Sequence, residues 1–138
     1  MSEQNKAAAR EVFEVWSTGN TDRLDELVHP DVVHHDPYDP HGAEGLAGMK
    51  ETIEFNRQAF PDMTITVEQQ LAEGDLVATR WRSEMTYVGG LGGTAVEGQK
   101  TSIGGITIDR FEEGKIVEAW RSMDTLGLLR GIGALQDG

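Results

Sequence analysis

The pattern of apolar and polar positions changes period once along this chain. From Glu3 to Thr18, apolar residues recur at Ala9, Val12, Phe13 and Trp16 with polar residues between them. That spacing predicts an amphipathic helix, and Gly19-Asn20 ends it. Thr21 is placed to cap a short second helix through Leu24, Leu27 and Val28, with Asp22 in its first turn and Pro30 closing it. The β-branched run Asp31 to Asp36 predicts a strand, and Asp36-Pro-Tyr-Asp-Pro-His-Gly a loop. Leu46, Met49, Ile53, Asn56 and Phe60 mark one face of a third helix, which Pro61-Asp62 breaks.

From Met63 the period drops to two. Met63, Ile65, Val67 and Leu71 share one face of a strand that Gly74-Asp75 turns back. A long strand follows from Leu76 to Val88. Val77, Thr79, Trp81, Ser83, Met85 and Tyr87 lie on one side of it, and Arg80, Arg82 and Glu84 on the other. Gly89 to Gly93 reads as a loop. Thr101–Phe111 and Lys115–Met123 read as a hairpin across Glu113-Gly114, and Leu126, Leu128, Leu129 and Ile132 suggest a closing helix. Helices first and a strand meander after them predict an α+β fold, residues 1–138 forming one domain. Its helices pack on one face of a strongly curved, mostly antiparallel sheet. Such a sheet leaves a cone-shaped cavity at its open end, the concave apolar kind of place that ligands prefer.

Composition narrows the partners. The 138 residues carry 24 acidic and 12 basic side chains, a formal charge of −12. That argues against a nucleic-acid partner, because such binding rests on Lys and Arg neutralising phosphates. There is no Cys, so neither a disulfide nor a thiolate nucleophile or ligand is available. The N-terminus is polar, and no run approaches the length of a membrane span. The expectation is a soluble, cytoplasmic protein without a membrane partner.

Asp124 is the first candidate for chemistry. It stands where the last strand ends, with Trp120 and Ser122 on its strand parity. A carboxylate in an apolar pocket has its pKa raised and is then suited to take a proton from carbon next to a carbonyl. The same position, before Thr-Leu-Gly-Leu-Leu, also suits a helix N-cap, which would lower the pKa instead. Of His34 and His35 only one faces the pocket, since adjacent strand residues face opposite ways. Together with Asp36, Asp39 and His41 they have the ligand types of a zinc or iron site. Strand alternation splits the two His, and no later helix supplies a His pair, so no metal is expected. Trp81, Met85, Tyr87 and Trp120 are spaced as strand faces that pack a core or wall a cavity for a flat apolar ligand. Arg110 shares the Ile106–Ile108 face; if buried, it needs a carboxylate such as Glu118 across the hairpin.

Several short motifs, in order, carry a resemblance: His34-His35-Asp36-Pro37, Phe60-Pro61-Asp62-Met63, Ala72-Glu73-Gly74-Asp75, Arg80-Trp81, Gly114-Lys115-Ile116-Val117-Glu118-Ala119-Trp120 and Asp124-Thr125-Leu126-Gly127-Leu128-Leu129. The chain resembles the SnoaL-like polyketide cyclase (ester cyclase) family of the nuclear-transport-factor-two-like superfamily over nearly its whole length. The resemblance implies a cone-shaped α+β barrel, often dimeric through its sheet, working without a cofactor. It further implies an intramolecular aldol ring closure of a small apolar carbonyl substrate, with one Asp as acid and base. Asp124 matches that Asp, and His35 matches an early pocket His of the family, on the Val33 side of the strand. The chain departs from the family at Met85-Thr86-Tyr87, where Gly-Thr-His is frequent, and at Val96-Glu97-Gly98, where Pro-Thr-Gly is frequent. Both departures point to an altered substrate.

The leading expectation is a cyclase or isomerase with Asp124 as acid/base, His35 and Tyr87 orienting the substrate, and Trp81, Trp120, Met85 and Arg110 contacting it. An epoxide hydrolase on the same fold would need a water held between carboxylates with an Arg bridging them, but the Arg-x-Asp expected for that is not clear: Asp109-Arg110 is adjacent, not alternating, and Arg80-x-Arg82 lacks the Asp. A ligand-binding or dimerisation module without catalysis is the third reading. It has no use for a base with a raised pKa.

Overall fold

The structure, a computed structural model, describes residues 2–36, 44–90 and 94–134. Helix α1 (Ser2–Thr18) buries Ala9, Val12, Phe13, Val15 and Trp16 along one stripe. A 3₁₀ turn at Thr21–Arg23 leads into the single helical turn α2 (Leu24–Leu27), and no side chain caps either. Strand β1 (Val28–His35) begins earlier than its sequence suggests and contains Pro30. Helix α3 (Gly45–Ala59) precedes β2 (Thr64–Glu73), β3 (Leu76–Thr86), β4 (Lys100–Glu112) and β5 (Lys115–Met123), and α4 (Thr125–Gly131) closes the chain.

The five strands form one curved sheet in the order β1-β5-β4-β3-β2, antiparallel except where β1 runs parallel to β5. β1 is an edge strand, which is where Pro is tolerated, and its pairing with β5 lapses between Val28 and Val33. The β4–β5 turn puts Glu113 at φ 51° and Gly114 at φ 80°, the left-handed pair that matches the strand twist in a two-residue hairpin. Among the described residues no helix is long and apolar enough to cross a membrane.

The helices lie inside the curve, α1 against β2 and β3, and α3 against β1. Arg57 of α3 locks them together. It donates to the carbonyls of Trp16 (3.0 Å) and Ser17 (2.8 Å) at the end of α1, and to Pro61 (3.0 Å). The first two are carbonyls that a helix end leaves without partners. Ser17 Oγ in turn accepts from the Ile65 amide at 2.9 Å, tying α1 to β2.

Strict alternation holds along β3, whose Val77, Thr79, Trp81, Ser83 and Met85 all face inward as the sequence predicts. It fails on β2 and β5, and in each case the reason is a bulge. On β2, Val67 pairs with Trp81 and Gln69 with Arg80, so Glu68 is an extra residue. An extra residue reverses the facing of everything after it. Gln70 therefore turns inward to Thr79 Oγ1 (3.2 Å), and Leu71, expected on the inner face, is 65 % exposed. On β5, Ile116 pairs with Phe111 but Glu118 with Arg110, so Val117 is extra. Ile116 and Ala119 both face in, and Trp120 faces out.

Gly105 sits on the inner face where β4 passes beneath Trp81. A Cβ there would lie 2.7 Å from Trp81 Cζ2, 2.9 Å from Met123 Cβ and 2.9 Å from the Ser122 carbonyl. Two of these atoms are a ring carbon wedged in the core and a backbone oxygen, so neither can give way cheaply. Gly105→Ala is expected to destabilise the protein by about 1–3 kcal/mol through overpacking, read as a lower urea midpoint with an unchanged m-value.

Candidate functional site

The concave face of the sheet and the inner sides of α1 and α3 enclose a cavity of about 420 Å³. Most of its wall is apolar, including Phe13, Trp16, Phe60, Trp81, Met85 and Met123. Phe55, on α3, is half-exposed and marks where the cavity meets solvent.

The charged and titratable groups gather at one end. Asp109 of β4 is only 5 % exposed. It follows from period two: Thr107, Asp109 and Phe111 face inward, and Ile106, Ile108 and Arg110 outward. Arg121 of β5 stands opposite Thr107, one diagonal step from Asp109 on the same face. Its guanidinium lies 5.2 Å from the centre of the Trp16 ring, and its Nη1 lies 3.8 Å from Asp36 Oδ2. His34 of β1, level with Ala119, also lines this end, and its Nε2 is buried without a protein partner among the described residues.

Burial sets the protonation of this cluster. It pushes the Asp109 carboxyl up to about 7, while the Arg121 charge pulls the other way and does not prevail. It pushes His34 down to about 4, helped by Arg121 and opposed by Asp36. Near neutral pH the cluster thus holds a neutral imidazole, a carboxyl poised between its two forms and a permanent cation. A carboxyl with such a pKa is matched to giving and taking protons near pH 7.

The residues expected from the sequence fall in four places. Trp81 and Met85 line the cavity. Tyr87 is buried behind it, its ring 5.6 Å from that of the wall residue Phe60. His35, Trp120 and Arg110 lie on the opposite face of the sheet. There His35 stacks on Trp120 (5.3 Å between centroids), His35 Nε2 lies 2.7 Å from Glu118 Oε2, and Arg110 Nε donates to Glu118 Oε1 at 3.2 Å. These contacts hold Glu118 below the usual carboxylate range, the His35 hydrogen bond foremost. The cross-hairpin partner expected for Arg110 is therefore present, on the outside.

The reasons are physical. In Val32-Val33-His34-His35, Val32 packs in the core and Val33 is exposed, so His34 and not His35 turns inward. The Val117 bulge sends Trp120 outward and Arg121 inward. Asp124 is exposed and caps α4, its Oδ1 accepting from the Gly127 amide at 2.9 Å. It does not line the cavity. Of the metal-type cluster, Asp39 and His41 lie outside the described residues. Among the described residues no group of three or more His, Asp or Glu is placed to hold a metal.

The model of the SnoaL-like polyketide cyclase family matches residues 6–132. The chain belongs to that family. Solved structures similar to it over nearly the full length include TsrD from Streptomyces laurentii, at 27 % identity, covering 98 % of each chain with a TM-score of 0.88. IdmH from Streptomyces antibioticus, a candidate polyketide cyclase, is 30 % identical over 94 % of this chain and 99 % of its own, with a TM-score of 0.81. AclR from Streptomyces galilaeus, a candidate hydroxylase, is 30 % identical over 99 % and 89 %, with a TM-score of 0.84. No curated protein matches the chain in sequence.

For a SnoaL-like chain the informative differences from the sequence reading are Arg121, which it does not single out, and Asp109, which it sets aside as adjacent to Arg110. Asp109 hides in Thr-Ile-Asp-Arg-Phe, where the two isoleucines at 106 and 108 suggest that theirs is the buried face. The available signal is register. The inward face of β3 is legible, and β3 pairs Val77 with Asp109, so an antiparallel pairing extended from β3 brings Asp109 inside.

The opposed shifts make a signed stability prediction. Folded Asp109 keeps its proton from 3.8 up to about 7, so its contribution to stability falls as pH rises through that window. Folded His34 stays neutral from 6.5 down to about 4, so its contribution falls as pH drops through that window. Between about pH 4 and 6.5 the two slopes cancel. Relative to the parent, Asp109→Asn is expected to gain stability with rising pH by about 1.4 kcal/mol per unit, and His34→Asn to lose it at a similar rate. Urea midpoints across that range check both signs.

Proposed function

We propose that the protein is a cofactor-independent cyclase or isomerase of small carbonyl compounds, with Asp109 as the acid/base group. The single observation that carries this reading is a buried carboxyl beside a guanidinium in a largely apolar cavity. Family membership supports the reaction class. The similarity to AclR alongside IdmH shows why the site has to supply the mechanism, since one fold hosts several chemistries.

In the proposed cycle, ionised Asp109 takes a proton from the carbon next to a carbonyl. Negative charge passes from the carboxylate to the enolate oxygen, which Arg121 stabilises from a fixed position. The enolate carbon attacks a second carbonyl of the same molecule, closing the ring. The resulting alkoxide recovers the proton from Asp109, so the product is an isomer of the substrate. Neutral His34 lines the same end of the cavity and adds no charge to it. Asp124 serves this scheme by fixing the start of α4.

Asp109→Asn is expected to lower turnover by about 10²- to 10⁴-fold. Asp124→Asn is expected to stay within about twofold, because Asn caps nearly as well as Asp. The assay is deuterium exchange from solvent into the acidic C–H of aryl 1,3-diketones and β-keto esters, followed by NMR. Loss of exchange in Asp124→Asn with retention in Asp109→Asn would return the role to Asp124.

A second reading has its own observation. Asp36 and Asp109 flank Arg121, the carboxylate–arginine–carboxylate arrangement that epoxide hydrolysis needs. There a protonated Asp109 would donate to the epoxide oxygen while Asp36 activated water. The two readings demand opposite forms of one carboxyl. Proton abstraction rises as pH passes through about 7, and epoxide opening falls.

The outer face of the sheet supports a homodimer. Val33, Ile106, Ile108 and Trp120 are each between 37 % and 49 % exposed and form an apolar patch, rimmed by Arg80, Arg82 and the Arg110–Glu118 pair. Both signs of charge beside one apolar centre suit a self-complementary two-fold contact. The parent is expected to run as a dimer in size-exclusion chromatography with light scattering, and Ile106→Glu as a monomer; a monomeric parent would remove this part of the proposal.

A further inference from the structure

The inner face of α3 carries a polar residue where its pattern calls for an apolar one. Leu46, Met49 and Ile53 of that face are buried, as is Phe60 at its end. Asn56 stands among them, three residues after Ile53, seven after Met49 and four before Phe60. Those intervals put residues on one side of a helix. The exposed Ala47, Glu51, Glu54 and Gln58 lie on the other side. Asn is a weak helix former, and a Leu would pack better at that place. Asn56 is nevertheless only half-buried, and it lines the cavity together with Thr52 of the preceding turn. With buried neighbours on its own face, what it is open to is the cavity.

The amide of Asn56 is held one way round. Its Nδ2 donates to the Thr52 carbonyl at 2.8 Å. A carbonyl oxygen only accepts, so the amide nitrogen has to face it and Oδ1 points away. Thr52 uses its own hydroxyl on the Gly48 carbonyl, at 3.0 Å, so it makes no demand on that oxygen. Among the described residues Oδ1 accepts no hydrogen bond. Four buried side-chain atoms lack a partner among those residues, and Asn56 Oδ1 is not one of them. An acceptor that is neither partnered nor buried, on a residue turned to the cavity, is offered to whatever the cavity holds.

An acceptor selects a donor. A reacting carbonyl and the enolate oxygen formed from it are themselves acceptors, and Oδ1 would repel both. The group it suits is an O–H or N–H elsewhere on the ligand. A protonated amine would bring a second cation into a largely apolar space that already holds the Arg121 guanidinium, which is costly. A neutral hydroxyl carries no such cost.

We propose that Asn56 is a specificity-determining residue whose Oδ1 accepts a hydrogen bond from a hydroxyl of the ligand. The ligand class is then a hydroxylated, largely apolar carbonyl compound, its hydroxyl separate from the reacting carbonyl. Recognition comes from the helix wall of the cavity, and proton transfer from the sheet wall where Asp109 and Arg121 stand. The proposal rests on the reading of this cavity as the substrate site, but binding alone tests it.

The probe is 2-naphthol, compared with naphthalene, which lacks the oxygen, and with 2-methoxynaphthalene, which keeps the oxygen but not the donor. Affinities are read from NMR titrations of the ¹⁵N-labelled protein. In Asn56→Ala the preference for 2-naphthol is expected to fall about three- to tenfold against both references, one neutral hydrogen bond. One reference is smaller than the probe and the other larger, so a fall against both has no steric cause. Asn56→Leu is expected to behave alike. Ala and Leu are both better helix formers than Asn, so α3 is retained, and Ala carries the test if Leu fills the cavity. The side-chain amide resonance of Asn56, assigned by its loss in the variants, is expected to move with 2-naphthol and not with naphthalene. A purely structural Asn56 would alter stability and leave the preference where it is. An unchanged preference in Asn56→Ala overturns the proposal. So does a preference lost only in Thr52→Val or Asp109→Asn, or failure of 2-naphthol to bind the parent. Failure of the Asp109 mechanism appears instead as turnover surviving Asp109→Asn, and leaves the effect of Asn56→Ala on the preference intact.

Discussion

Curvature of the sheet is the constraint on which everything else depends. A flat five-stranded sheet could not close over α1 and α3, and there would be no cavity. The bend is introduced where β2 and β5 each carry one residue more than the strand they pair with, at Glu68 and Val117. A bulge increases local twist and re-aims the side chains that follow it. The Val117 bulge therefore does two things at once. It curves the sheet, and it exchanges the faces of Trp120 and Arg121, so that a cation and not an indole enters the cavity.

That exchange sets up the electrostatics of the site. An unpaired carboxyl as buried as Asp109 would stay protonated far above neutrality, and an unpaired buried guanidinium would be costly. Each moderates the other, with Asp36 sharing the Arg121 charge near the edge of the cavity. The outcome is a carboxyl held near 7, between the value of an ordinary surface Asp and that of a wholly desolvated one. His34 adds a polar atom without adding charge, since the burial that raises Asp109 also keeps the imidazole neutral. One physical cause, exclusion of water by the curved sheet, thus acts with opposite sign on an acid and a base at the same end of one cavity.

What the sequence discloses here is what local rules govern. Helices α1 and α3, the Glu113-Gly114 turn, the limits of β5 and the inward face of β3 all follow from periodicity and turn chemistry. The family is legible because its motifs sit at such places. The assignments that differ in the structure lie beyond a point where period two is interrupted: Leu71 after Glu68, and Trp120 after Val117. For β1 the ambiguity is in the sequence itself. Two valines followed by two histidines fit either facing, and core packing of Val32 decides between them. Pro30 likewise reads as a helix stop but sits in an edge strand where its missing amide costs little. The inward facing of Asp109 is hidden for a related reason. Its neighbours Ile106 and Ile108 are the more apolar set, and they face outward on a surface whose exposed patch has the composition of an interface and not of a solvated sheet.

The position of Asp124 shows how a family motif can coincide with a helix cap. The residue stands in the right place in the family pattern, and its carboxylate does a job that any helix start requires, accepting the Gly127 amide. A carboxylate occupied in that way is exposed and lies outside the cavity lining. The buried carboxyl of Asp109, four residues before Glu113 of the hairpin turn, has a different environment: burial disfavours its charged form, and it faces a largely apolar space with a cation at its side. Between two acids in one small domain, environment and not sequence position makes the difference, and here the environments diverge because one lies inside the curve of the sheet and the other at its end.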